Sequence, residues 1–166
     1  MSQEDYVFHR NQHWKELFPD LQLDGVWGRV QRLARCHNLL SSQAMRPFGL
    51  RNAEADVLAA LLFSGEPYEL TPKQITAQCY RTPGAITGIL DALAARGLIT
   101  RHPNEKNRRS YIVALTEQGV QLAKESFFAQ IDTEKKLLNM LAAGEKKALA
   151  ALLKKVLIDL EGKKLI

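Results

Sequence analysis

What the 166-residue chain lacks narrows its function before any motif is considered. It has only two cysteines, Cys36 and Cys79, far apart and without C-x-x-C spacing. That fits a reducing cytoplasm and small buried thiols better than a disulfide framework. No eighteen uncharged apolar residues follow one another, and the opening "MSQEDYVFHRNQHWKELFPD" has no basic start leading into an apolar run. Neither membrane spanning nor secretion is therefore expected. No G-x-S-x-G, H-E-x-x-H or phosphate-cradling glycine loop occurs, so no enzyme activity and no cofactor are expected. His9 and His13 have metal-ligand spacing with Glu16 nearby, but no further Cys or His completes a tetrahedral set.

What is present is ordinary globular composition, 46% hydrophobic and 25% charged, enough for one domain with a real core. A net charge of +5 points towards a polyanionic partner. The phrase T-P-x-x-I-T occurs twice, as "TPKQIT" from Thr71 and "TPGAIT" from Thr82. Each is a helix start: a threonine hydroxyl to accept an amide proton from the first turn, and a proline where a missing N–H costs nothing. In the first copy Gln74 completes a capping box, and Leu70 with Ile75 has staple spacing.

Around these starts the chain falls into order. Residues 1–24 read as an N-terminal extension holding one short helix. From Gly25 the stripe Val26, Val30, Leu33, His37, Leu40 and Ala44 predicts a helix to about Arg46, stopped by Pro47 and Gly49. Asn52 is expected to cap the next helix, with Val57, Leu58, Leu61 and Leu62 inward. The second copy opens a helix burying Ile86, Leu90 and Leu93 and ending at Gly97. A short helix, a tight connection and a longer helix give helix-turn-helix spacing. "LITRHP" and "SYIVALT" then read as two strands around the basic "NEKNRRS", which makes a winged helix over about residues 50–116. Thr116 caps a long helix, and a final apolar helix follows. The fold class is mainly α with a small β-hairpin wing, and the apolar helices at about 25–46 and 117–161 are expected to dimerise.

The segment "TPGAITGILDALAARGLITRHPNEKNRRSYIVALTEQG", residues 82–119, resembles the MarR family of bacterial winged-helix transcription regulators. The resemblance rests on L-x-x-x-G-L-I closing a recognition helix, a wing with paired arginines, and L-T-x-x-G at the next helix start. Trp14, "FPDL", Asp56 and "GEPYELTPKQI" look most like its PecS and urate-responsive subgroup. The resemblance implies a homodimeric, cytoplasmic regulator of double-stranded DNA, in all a repressor released from a pseudo-palindromic operator by a small effector. In the urate-responsive members a Trp, an Asp and two Arg hold the ligand; here Phe63 and Ile89 stand where those arginines would fall. An aromatic or amphipathic effector other than urate is therefore expected. The wing also carries Asn107 where the family commonly has Asp.

A helix entering the major groove presents its first residues to base edges, so Arg81, Thr82, Gly84, Ala85, Thr87 and Gly88 are candidates for readout. Arg101, Lys106, Arg108 and Arg109 suit phosphates and a narrow minor groove; the resemblance singles out Arg109 for the minor groove and places Lys106 and Arg108 on phosphates. For the effector, Trp14, Asp56 and Phe63 lead, with Trp27, His37 and Met45 behind them. Two alternatives stand beside this: a winged-helix protein-interaction module without operator binding, and a redox-responsive regulator using Cys79 or Cys36.

Overall fold

The structure, a computed structural model, describes residues 4–105, 107 and 110–163. In chain order it comprises α1 (Tyr6–Leu17), α2 (Val26–Met45), a single 3₁₀ turn, α3 (Asn52–Phe63), β1 (Glu69–Leu70), α4 (Pro72–Gln78), α5 (Pro83–Ala95), β2 (Ile99–Pro103), β3 (Tyr111–Leu115), α6 (Glu117–Leu137) and α7 (Ala143–Gly162). No described helix is long and apolar enough to cross a membrane.

The helix starts are set locally. Thr71 Oγ1 accepts from Gln74 N at 3.3 Å while Gln74 Oε1 accepts from Thr71 N at 2.8 Å, a reciprocal box that occupies two otherwise orphaned amides. Leu70 and Ile75 are both buried, as a staple requires. Thr82 accepts from Ala85 N at 3.3 Å and Thr116 from Gly119 N at 3.0 Å; each such cap contributes about 1 kcal/mol. The start of α3 differs from expectation. Its cap is Arg51, not Asn52, because Glu54 reaches back to the Arg51 amide at 2.8 Å and guanidinium at 2.9 Å. Asn52 instead ties α3 to α2, donating from Nδ2 to Asn38 O at 3.1 Å. Glu54 is buried. Burial works to raise its carboxyl, but the hydrogen bonds from Arg51 and the charges of Arg51 and Arg96 outweigh it and hold the group below the ordinary range.

Leu58, Leu61, Ile75, Ile86, Leu90 and Val113 are fully buried at the centre of one core shared by α3, α4, α5 and the sheet. The sheet has order β1-β3-β2, antiparallel throughout, with Ile99 opposite Leu115 and Pro103 opposite Tyr111. The two longer strands form the expected wing; β1 was not foreseen, since two residues are too few to show a period. Two glycines carry the junctions. Gly97 has φ +68°, turning the chain out of α5 into β2. A Cβ on Gly119 would collide with the Leu98 carbonyl oxygen, so only glycine lets α6 start so close to the sheet.

α6 packs across α2 and α3. α1 lies on α2: Val7 is buried, Arg29 donates to both Asp5 oxygens at 2.7 and 3.1 Å, and Arg32 lies 4.7 Å from the Tyr6 ring. The stripe on α2 is only partly covered by this chain: Val26 and Leu33 are exposed, Val30, His37, Leu40 and Ala44 are half-buried, and the fully buried residues of the helix are Gly28, Ser41 and Met45. α7 buries none of its residues, and Leu152, Leu153, Val156, Leu157 and Ile158 all stand out to solvent.

Candidate nucleic-acid interface and effector cavity

α5 divides cleanly. Ile86, Ile89, Leu90 and Leu93 point into the core, so Ile89, which occupies an expected ligand position, is packing. Thr82, Gly84, Ala85, Thr87 and Gly88 are all exposed, forming one continuous face at the helix start. Thr87 Oγ1 donates to the Pro83 carbonyl at 3.1 Å, leaving its methyl group and oxygen lone pair for outside contacts. A Cβ built on Gly84 or Gly88 would meet nothing within 4 Å, and neither residue has a positive φ. Glycine is thus required there neither by packing nor by backbone geometry within the chain, although it costs about 1 kcal/mol against alanine in a helix interior.

Two basic residues counted towards a nucleic-acid surface are engaged elsewhere. Arg81 Nη2 donates to Asp56 Oδ2 on α3 at 2.7 Å, and Arg101 Nη2 donates to Asp91 Oδ1 on α5 at 2.6 Å while its guanidinium lies 5.4 Å from the Tyr111 ring. The second pair fastens β2 to α5. Lys106, Arg108 and Arg109 lie outside the described residues. The next residue of β2, His102, places Nε2 3.0 Å from Glu69 Oε1 of β1.

Arg81 leads to a second feature. A cavity of about 240 Å³ lies between α2, α3, α6 and the residue before α5's cap. His37, Ser41 and Met45 come from α2, Asn52, Ala55 and Asp56 from α3, and Phe127, Gln130 and Glu134 from α6, with Arg81 closing one side. Its polar wall is tied together: Gln130 Nε2 donates to Ser41 Oγ at 2.8 Å and Glu134 Oε1 at 3.2 Å, and His37 Nε2 is 3.5 Å from the same Glu134 oxygen. Of the expected effector residues, Asp56, His37 and Met45 meet here. Phe63 does not line it; its ring packs edge-on at 5.0 Å against Phe127, which does. Trp14 stacks on Phe18 at 5.8 Å beside a separate shallow hollow, and Trp27 is exposed. Sequence reasoning missed Asn52, Arg81, Gln130 and Glu134 as cavity residues. The available signal was polar pairs four apart, His37 with Ser41 and Gln130 with Glu134, set into helices expected to be apolar.

Neither cysteine is a fully buried thiol. Cys36 is exposed and Cys79 half-buried. Burial chiefly, and the Asp56 carboxylate secondarily, push the Cys79 thiol up to about 11 against the pull of Arg81, which opposes the thiolate that a redox sensor needs. Among the described residues no group of three His, Cys, Asp or Glu is placed to hold a metal ion; His13 instead sits 3.6 Å from Glu16.

Comparison with known proteins bears on the same surfaces. Residues 48–110 match the model of the MarR family. The chain is 30% identical to the HTH-type transcriptional regulator PecS of Dickeya dadantii over 87% of this chain and 89% of that protein. It is 29% identical to the multiple antibiotic resistance protein MarR of Escherichia coli, over 71% of this chain and 81% of that one. A mutant MarR from E. coli complexed with operator DNA superposes with a TM-score of 0.73 at 25% identity, covering 87% of this chain and 97% of that one. With the winged helix and the exposed start of α5 in place, these likenesses establish that the chain belongs to the MarR family of DNA-binding transcriptional regulators.

Proposed function

We propose that the protein is a cytoplasmic, homodimeric repressor whose grip on a pseudo-palindromic operator is released by a small effector. The observation that carries the DNA-binding geometry is the exposed start of α5, where Gly84 and Gly88 remove bulk that nothing inside the chain requires removed. Thr82, Ala85 and Thr87 complete a face able to lie close against base edges, contributing methyl contacts and single hydrogen bonds rather than bidentate pairs. Groove shape supplies the rest of the specificity. Lys106, Arg108 and Arg109 serve the wing's phosphate and minor-groove contacts, Arg109 foremost, and Arg101 holds the wing in place through Asp91.

The exposed apolar residues of α2 and α7 support dimerisation, since exposed patches of this kind mark interfaces, and a two-fold axis sets two recognition helices on two half-sites. The cavity is the effector site. It touches α2 and α6 on one side and α3 and the entry to α5 on the other, so a ligand that prefers one arrangement of these parts biases the spacing of the recognition helices. Footprinting of DNA flanking the protein's own gene tests the reading. Protection of a pseudo-palindrome whose strength falls steeply with salt is expected, and no protection at moderate salt refutes it.

A further inference from the structure

Successive side chains of β2 leave the sheet on opposite faces. Arg101 turns towards α5 and pairs with Asp91 at 2.6 Å. His102 turns the other way, with Nε2 3.0 Å from Glu69 Oε1. Glu69 belongs to β1, and β3 lies between the two strands, so the pair bridges two strand spacings, roughly 10 Å. Its path crosses Ala114 and Ile112, the β3 residues opposite Glu69 and His102.

The bridge sits where backbone support for the wing runs out. The ladder of β1 on β3 stops at Leu70 opposite Val113, because Thr71 leaves the sheet to cap α4. From the row of Ile112 and His102 outwards the wing is a two-stranded ribbon, a form with little stability of its own. His102 therefore ties the first unsupported row back to the strand that leads into α4.

We infer that Glu69 and His102 are positioning residues for operator binding, which hold the wing at the angle to the helix-turn-helix at which Arg109 meets DNA. This rests on the wing docking proposed above. A carboxylate only accepts, so Nε2 carries the shared proton. A histidine ring takes up its second proton between about pH 8 and pH 5, and the bond then becomes charge-assisted and stronger. Of the other charged or titratable groups around β2, Asp91, Arg101 and Tyr111 meet on the opposite face, and Glu105, Lys106, Arg108 and Arg109 follow in the chain. Apparent affinity scales with the fraction of time that the wing stands ready to dock. Both side chains are partly exposed, which keeps the effect modest. It enters once per protomer, so about twofold in each wing becomes about fourfold for a dimer on two half-sites.

Glu69→Gln separates this role from plain electrostatics by sign. Removing a negative charge near a DNA-binding surface should tighten operator binding at every pH. Loss of the brace should instead weaken it, about fourfold at pH 6 and less at pH 8, in fluorescence anisotropy on the footprinted operator. In the His102→Gln background the same substitution should no longer weaken binding at either pH. Thermal melts of each variant accompany the titrations: a pair that merely stabilises the sheet moves the melting midpoint and leaves the affinity of the folded protein alone. Unchanged or tighter binding by Glu69→Gln at pH 6 overturns the proposal, as does an equal loss in the His102→Gln background. Arg109→Ala separates the two levels. If it weakens binding while Glu69→Gln does not, the brace fails and the wing's docking stands; if neither substitution weakens binding, both fail.

Discussion

Replacing Gly88 by alanine adds one methyl group to the middle of α5, at a point where nothing lies within 4 Å. Inside the chain the change is favourable: an exposed helix-interior glycine gives up about 1 kcal/mol to alanine, largely through the freedom it restores to the unfolded chain. No overlap is created to offset that gain. For a chain of this length 1 kcal/mol moves the melting midpoint by roughly 2–4 °C, so Gly88→Ala should melt higher than wild type by about that amount. In the proposed docking the same methyl would sit where the helix backbone approaches the groove. Pushing the helix away disturbs every neighbouring contact of Thr82, Ala85 and Thr87, and operator affinity should fall at least tenfold, about 1.4 kcal/mol. Differential scanning fluorimetry and fluorescence anisotropy on the footprinted operator read the two effects on one sample. A protein that is stabilised yet binds its operator unchanged refutes the docking role of this face. A protein that melts lower refutes the premise that the site is open.

The same substitution at Gly119 should have the opposite effect on stability. Its Cβ would collide with the Leu98 carbonyl oxygen, overpacking that costs about 1–3 kcal/mol, and the melting midpoint should fall by several degrees in the same fluorimetry; an unchanged midpoint would mean that α6 can shift freely. The thiols should separate by reactivity in a pH series with a chromogenic disulfide. With a pKa near 11, Cys79 is protonated at neutral pH and reacts appreciably only as pH rises towards that value, so in Cys36→Ala the remaining thiol should label slowly at pH 7 and quickly above about pH 10. Rapid labelling at pH 7 would revive a redox role for this cysteine.

Helix starts were legible in the sequence because a cap is a contract among neighbours. Thr71 with Gln74, Thr82 with Ala85 and Thr116 with Gly119 all close within three residues. The α3 cap misled for the same reason, since Asn52 has the preferred side chain but Glu54 secures Arg51 first. The wing strands showed through alternation, whereas β1 is too short to alternate. Apolar periodicity on α2 and α7 established that a face exists without saying what covers it, and this chain covers the α2 face only in part and buries no residue of α7. Arginine counting failed where partners are distant in sequence. Arg81 finds Asp56 twenty-five residues away and Arg101 finds Asp91 ten away, and such pairings come from the fold rather than from any local pattern. The cavity belongs to the same class, because its wall is assembled from three helices and a loop.

α7 sets a condition on the working protein that no residue in it states alone. Its twenty residues run from Ala143 to Gly162 with none buried by the rest of the chain. Most helical stability in proteins comes from packing an apolar face rather than from propensity, and this chain gives α7 little of it. Packing supplied by a second copy would follow the law of mass action. Dilution then acts on this protein much as a destabilising mutation would. Helix content, melting temperature and operator occupancy should all decline together as concentration falls, so that cellular abundance becomes one of the variables that fix how much of the regulator is folded for use.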